Sequence, residues 1–155
     1  MSDFILVLDE GTTSTRAMLF DSAGKLHHVA QRELEQHYPR PGWVEHDAAE
    51  IWQKTLACAQ ECAEHAEGSE HIAAIGITNQ RETALLWDRR TGEPLNNAIV
   101  WQCRRTTEFC ESLRQAGHEA AIKRKSGLVL DPYFSASKYR WLLKNSKGVA
   151  RLLRA

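Results

Sequence analysis

The chain has 155 residues, with 20 Lys and Arg against 20 Asp and Glu, so its formal charge is zero. That length suits one domain around a single core, and 43% hydrophobic with 26% charged residues excludes a disordered or collagen-like chain. Neutrality removes the basic excess that marks most nucleic-acid binders, and no apolar run approaches the length of a membrane span.

Residues 4–8 are a short apolar run rich in branched side chains and read as a buried strand. The polar turn Asp9-Glu10-Gly11-Thr12-Thr13-Ser14 follows, then a strand over 15–20, a turn over 21–25 and a more polar strand over 26–34. The opening is thus a three-stranded antiparallel meander. A loop with Pro39, Pro41 and Gly42 leads to Asp47 and Glu50, spaced as a capping box. Ile51, Trp52, Leu56, Ala59 and Ala63 then recur at helical spacing over 48–66. Residues 71–78 read as a buried strand, the tetrad Asn79-Gln80-Arg81-Glu82 interrupts it, and 83–87 resumes as strand. A turn over 88–94 and a short strand over 98–101 follow. Helices are expected over 104–116, stopped by Gly117, over 118–125 and over 135–145, and 149–155 reads as the start of another. This order predicts an α/β or α+β domain with a mixed sheet.

Cys58 and Cys62 share a helix face, a spacing that a rigid helix does not bring to disulfide geometry. With His65 they lack a second Cys or His cluster to complete a zinc set, so they read as reduced thiols packed like small apolar residues, as do Cys103 and Cys110. His27 and His28 fall on opposite faces of a strand and cannot chelate one ion together. Met1-Ser2-Asp3 puts an acid where a secretion signal carries Lys or Arg, which predicts a cytoplasmic protein.

The strongest chemical signal is the first hairpin turn. Asp9 at a strand end can face a cation, and Gly11 lets a ligand approach the backbone. Thr12, Thr13 and Ser14 offer hydroxyls and N–H groups to an anion, and Arg16 adds a positive fork. Those are the parts for phosphate plus Mg²⁺, the ion keeping most of its waters. Neither the P-loop nor the dinucleotide-binding glycine pattern occurs, and a Thr- and Ser-rich hairpin turn without a ligand fits the composition too. The second signal is the polar tetrad in its apolar surroundings. Arg81 and Glu82 supply donors and acceptors together, which suits a small polyhydroxylated ligand or a self-satisfied ion pair. Trp101 and Tyr133 can each wall a pocket with one polar handle, or be core. Trp43 suits a lid over a ligand or packing against the helix that follows it, and 123–125 is a basic helix end.

Taken in order, Asp9-x-Gly11-Thr12-Thr13-Ser14-x-Arg16, Gly42-Trp43-Val44-Glu45-His46-Asp47, Gly76-Ile77-Thr78-Asn79-Gln80-Arg81-Glu82-Thr83, Val100-Trp101-Gln102-Cys103-Arg104-Arg105-Thr106 and Gly127-Leu128-Val129-Leu130-Asp131-Pro132-Tyr133-Phe134-Ser135 resemble the FGGY carbohydrate kinase family. The resemblance runs from Ile5 to about Leu142. It implies a ribonuclease-H-like lobe of the actin-like ATPase fold, with residues 1–155 a partial N-terminal lobe and a second lobe outside this chain. Asp9 would serve Mg²⁺ through water, and Gly11, Thr12, Thr13, Ser14 and Arg16 the phosphates of ATP or ADP. The segments around Arg81 and Trp101 are similar to those of members acting on glycerol. Arg81, Glu82 and Tyr133 would bond its hydroxyls and Trp101 would cover its carbons, in the conversion of ATP and glycerol to sn-glycerol 3-phosphate and ADP. The general base and the adenosine pocket would come from beyond residue 155, in a full-length protein expected to be a homo-oligomer. Another sugar or polyol as substrate, or a non-catalytic nucleotide-binding module on the same fold, are the alternatives. Nucleic-acid processing on this fold would want a carboxylate cluster around two metals, and only Asp9 stands at a suitable strand end. Glu10 departs from the family pattern, and a carboxylate there should repel a nucleotide unless it points away or meets the metal.

Overall fold

A computed structural model of the chain describes residues 4–146 and Val149. The helix start expected over 149–155 lies, Val149 apart, outside them. In chain order the elements are β1 (Phe4–Glu10), β2 (Ser14–Asp21), β3 (Leu26–Glu33), β4 (Glu45–His46), α1 (Ala48–His65), a 3₁₀ turn (Ser69–His71), β5 (Ile72–Asn79), β6 (Ala98–Ile99), α2 (Thr107–Gln115), α3 (Glu119–Ser126) and α4 (Ser135–Asn145). Instead of one core the chain forms two compact units, Met1–Gln36 with Asp47–Gln80, and His37–His46 with Arg81–Ala155.

The first unit holds the predicted meander. β1 pairs antiparallel with β2, and β2 with β3, while β5 adds parallel to β1 in the order β3-β2-β1-β5. The sheet is therefore mixed, and the helix between β3 and β5 makes the crossover that a parallel pair needs. Asp47 caps α1 by accepting from the N–H groups of Ala49 at 2.8 Å and Glu50 at 3.4 Å. Only half of the expected box closes, because the Glu50 carboxylate takes Lys54 Nζ at 2.5 Å and the Glu35 N–H at 3.3 Å. Lys54 beside it holds the Glu50 carboxyl below its ordinary range.

β5 is not the buried strand that its apolar run suggested. It is an edge strand paired on one side only, and among the described residues Ile75 and Ile77 stay 60% and 73% exposed. Residues 83–87 are not a strand either. Ala84 and Ile99 exchange one pair of hydrogen bonds, at 2.9 and 2.8 Å, and the ladder goes no further on that side than a lone bridge between Trp87 and Pro94. The chain has already turned at Glu82, whose φ of 66° lies in the left-handed region.

Leu6, Ala17 and Ala30 of the sheet pack on Cys58 and Cys62 of α1, both fully buried. All four cysteines are free and buried. Burial pushes the Cys58, Cys62 and Cys110 thiols above their ordinary 9.0. A thiol whose folded value is raised stabilises the fold fully below pH 9.0, and that contribution is lost as pH rises through the folded value. Ellman's reagent should leave the four native thiols of this chain unreacted at neutral pH and titrate all of them in denaturant. The alkaline fall of the thermal midpoint should be shallower in Cys62→Ala than in the parent. Rapid native labelling would overturn this.

In the second unit β4 and β6 form a short antiparallel pair, and α2, α3 and α4 follow. Val44, Ala84, Ile99, Val100, Cys103 and Leu142 make its core, with Trp43, Trp101 and Trp141 packed around it. Arg105 is a framework residue. Its side chain is 1% exposed, its guanidinium bonds Glu45 at 2.7 Å, and it lies 3.9 Å from the Trp43 ring centre and 4.7 Å from that of Trp141. Trp43 thus packs edge-on against Trp141 of α4 rather than serving as a lid. Among the described residues no helix is long and apolar enough to cross a membrane.

Candidate functional site

β1 runs on to Glu10 and β2 begins at Ser14, so the first turn is Gly11-Thr12-Thr13, tighter than the six residues predicted. Polar residues extend the ladder because backbone pairing does not depend on side-chain polarity. The register sets Asp9 opposite Arg16, with Asp9 Oδ2 3.0 Å from Arg16 Nε, an ion pair not aligned as a hydrogen bond. A Cβ on Gly11 would sit 2.8 Å from the Ser14 carbonyl oxygen, so only glycine fits.

The turn is held from outside itself. Gln80 Nε2 donates to the Gly11 carbonyl at 3.3 Å, Gln36 Nε2 to that of Thr12 at 2.9 Å, and the Leu34 N–H to that of Thr13 at 2.9 Å. Gln31 Nε2 donates to Ser14 Oγ at 3.0 Å and leaves the hydroxyl proton of Ser14 to donate in turn. Glu10 points away from the turn. Its Oε1 accepts from Thr15 Oγ1 at 2.8 Å and from Thr55 Oγ1 of α1 at 2.6 Å, which removes the expected repulsion of an anion.

The predicted polar tetrad divides between the units, the boundary falling after Gln80. Gln80 braces the phosphate-type turn, whereas Arg81 is exposed and Glu82 serves the second unit. Glu82 Oε2 accepts from the Ser135 N–H at 2.7 Å and from Ser135 Oγ at 2.6 Å. Those are first-turn donors of α4, whose own N-cap residue, Phe134, supplies no side-chain bond. A carboxylate from elsewhere in the chain therefore caps this helix, where the dipole favours negative charge.

Just before α4, Asp131 Oδ1 accepts from the Tyr133 N–H at 2.8 Å and from Arg104 Nη1 at 3.2 Å. Tyr133 packs edge-on to Trp101, ring centres 5.8 Å apart, and to Phe134 at 5.1 Å. The Trp101 N–H donates to Thr83 Oγ1 at 3.3 Å. Glu82 is thus tied to Ser135, two residues along the chain from Tyr133, and Tyr133 meets Trp101 in the ring pair, with Arg81 adjacent to Glu82 in the chain.

Lys138 is fully buried on α4 and donates to the Tyr133 carbonyl. Burial pushes its ammonium below the ordinary 10.5, and Glu82 is the strongest of the groups opposing that shift. Nothing in the motif reading singled out Lys138, but a signal was present. It sits four residues before the fully buried Leu142 on the apolar stripe of α4, a place where lysine is rare.

Residues 4–155 match the family described as the FGGY family of carbohydrate kinases, N-terminal domain. The chain belongs to the FGGY family of carbohydrate kinases. It is 56% identical over 144 residues to a glycerol kinase of Cereibacter sphaeroides, covering 93% of this chain and 29% of that protein. It is 57% identical over 146 residues to a glycerol kinase of Burkholderia vietnamiensis, covering 94% and 29%. Among solved structures, Plasmodium falciparum glycerol kinase with ADP superposes with a TM-score of 0.90 at 34% identity, over 99% of this chain and 31% of that one. Ligand-bound xylulose kinase from Lactobacillus acidophilus gives 0.84 at 26%, over 94% and 29%. The FGGY chain described here thus spans about 30% of the length of the relatives it matches. Its fold is of the actin-like ATPase type, with the mixed sheet and opening meander that the sequence predicted.

Proposed function

We propose that the full-length protein, in the cytoplasm, transfers the terminal phosphoryl group of ATP to glycerol, giving sn-glycerol 3-phosphate and ADP. The carrying observation is that Glu82 is fixed at the first turn of α4, two residues after Tyr133, that Tyr133 pairs with Trp101, and that Arg81 next to Glu82 is exposed. A three-carbon polyol needs charged hydrogen-bond partners and an apolar surface together, and this set supplies both. Similarity to proteins named glycerol kinase supports the same substrate.

In this reading Gly11, Thr12, Thr13 and Ser14 hold phosphate oxygens in a turn whose carbonyls are already tied down. Preorganised donors need little rearrangement as charge develops during transfer. Arg16 adds fixed positive charge. The partly exposed Asp9 carboxylate suits a hard cation, and Asp9 would hold Mg²⁺ through water. When bound, that ion neutralises charge on the phosphate oxygens. Arg81, Glu82 and Tyr133 bond the glycerol hydroxyls and Trp101 covers its carbon chain. The general base and the adenosine pocket are assigned outside residues 1–155, in a second lobe.

The test incubates the protein at its full encoded length with ATP and Mg²⁺ and follows ADP release over glycerol, xylulose, gluconate and erythritol. Turnover confined to glycerol is the expected result. Turnover on another polyol would keep the phosphate reading and discard the pocket assignment. Nucleotide binding without turnover would instead favour a non-catalytic module, and size-exclusion of the same sample reads whether it is a homo-oligomer.

A further inference from the structure

Lys138 contacts the polyol residue Tyr133 and has no part in the proposed roles. Its side chain is fully buried, and its ammonium donates to the Tyr133 carbonyl and lies 6.0 Å from the centre of the Tyr133 ring. The charged and titratable groups that act on it are Glu82, Cys103, Asp131 and Cys110. Of these, Glu82 acts most strongly, and its carboxylate is fixed to Ser135, the first residue of the same helix. One buried ammonium thus bonds the backbone of one polyol residue, just ahead of the helix whose first turn is capped by the carboxylate of the other.

Framework stability does not ask for that arrangement. An apolar side chain of similar volume in place of a buried charge is often neutral or stabilising. The amine is instead matched to a task in which two groups must be presented to small hydroxyls at fixed spacing. Hydrogen-bonded recognition of this kind depends on groups that cannot relax away from the ligand.

We infer that Lys138 is a positioning residue for polyol recognition, fixing Tyr133 through its carbonyl just ahead of the α4 turn that Glu82 caps. The inference rests on the glycerol reading and deepens it. Lys138 touches no substrate and acts through Tyr133, which does.

The experiment compares wild type, Lys138→Met, Lys138→Arg, Glu82→Gln and the double variant Glu82→Gln/Lys138→Met at full encoded length. Lys138→Met should raise KM for glycerol by about tenfold or more while KM for ATP and the thermal midpoint stay near wild type. The double variant should fall short of the sum of the two single effects, because both changes loosen the start of α4. In wild type, glycerol KM should climb as pH rises toward 10.5, as the lowered ammonium loses its proton. Arginine stays charged, so Lys138→Arg should lack that limb and recover part of the affinity.

An unchanged glycerol KM in Lys138→Met overturns the inference. So does a matching rise in KM for ATP, a collapse of the thermal midpoint, or full additivity in the double variant. These outcomes are read only against a wild type that turns glycerol over, so they leave the glycerol reading standing. A wild type that accepts no polyol overturns both.

Discussion

Glu82→Ala in the full-length protein should lower kcat/KM for glycerol by about a hundredfold, the loss expected when the substrate hydroxyls lose a charged hydrogen-bond acceptor. Two losses add in this variant. The substrate hydroxyls lose a charged acceptor, a bond worth about 1.5–3 kcal/mol. The first turn of α4 also loses its cap, since Glu82 takes both the N–H and the hydroxyl of Ser135. A lost cap costs about 1 kcal/mol of stability. Glu82→Gln separates these effects, because an amide oxygen can still accept from Ser135 while the charge is gone. Its thermal midpoint should therefore lie nearer wild type than that of Glu82→Ala, with glycerol activity still depressed. Nucleotide affinity should hold in both, because the residues assigned to the phosphates belong to the first unit and Glu82 to the second. A drop in nucleotide affinity as large as the drop in glycerol activity would overturn the assignment.

Gly11→Ala should raise the KM for ATP by about a hundredfold, read by nucleotide titration. The new methyl would sit 2.8 Å from the Ser14 carbonyl oxygen, a backbone atom that moves only if the turn opens. Opening it breaks a geometry fixed by Gln80, Gln36 and Leu34 at three consecutive carbonyls. Displacements of about 1 Å at reacting groups cost on the order of a hundredfold. Glycerol binding measured without nucleotide should stay near wild type, since the polyol residues belong to the second unit. Unchanged nucleotide affinity in this variant would sink the phosphate role of the turn.

The predicted elements that survived are those whose causes lie within a few residues of each other. The meander follows from apolar runs broken by turn residues, α1 from its period and from Asp47, and α4 from a period that matched Ser135–Asn145 at both ends. The Gly11-Thr12-Thr13 turn was readable for the same reason, because a glycine among hydroxyl residues between two strands marks a turn locally. β5 failed because an apolar run shows that a strand wants to be covered and not which neighbours cover it. Residues 83–87 failed because the left-handed backbone at Glu82 redirects the chain, and nothing in the composition announces a positive φ at a glutamate.

Residue types, order and spacing therefore determined the family and the opening hairpin with Gly11 at its turn. Tertiary structure alone decided what each polar side chain does. Glu82 reaches Ser135 across 53 residues, Glu10 reaches Thr55 across 45, and Gln80 reaches Gly11 across 69. Those pairings set Gln80 apart from Arg81 and Glu82 and turned Glu10 away from the first turn, and packing buried the Lys138 ammonium. The reason is physical. A buried polar group must find a partner or lose stability, and the partner available depends on which distant segments the chain brings together.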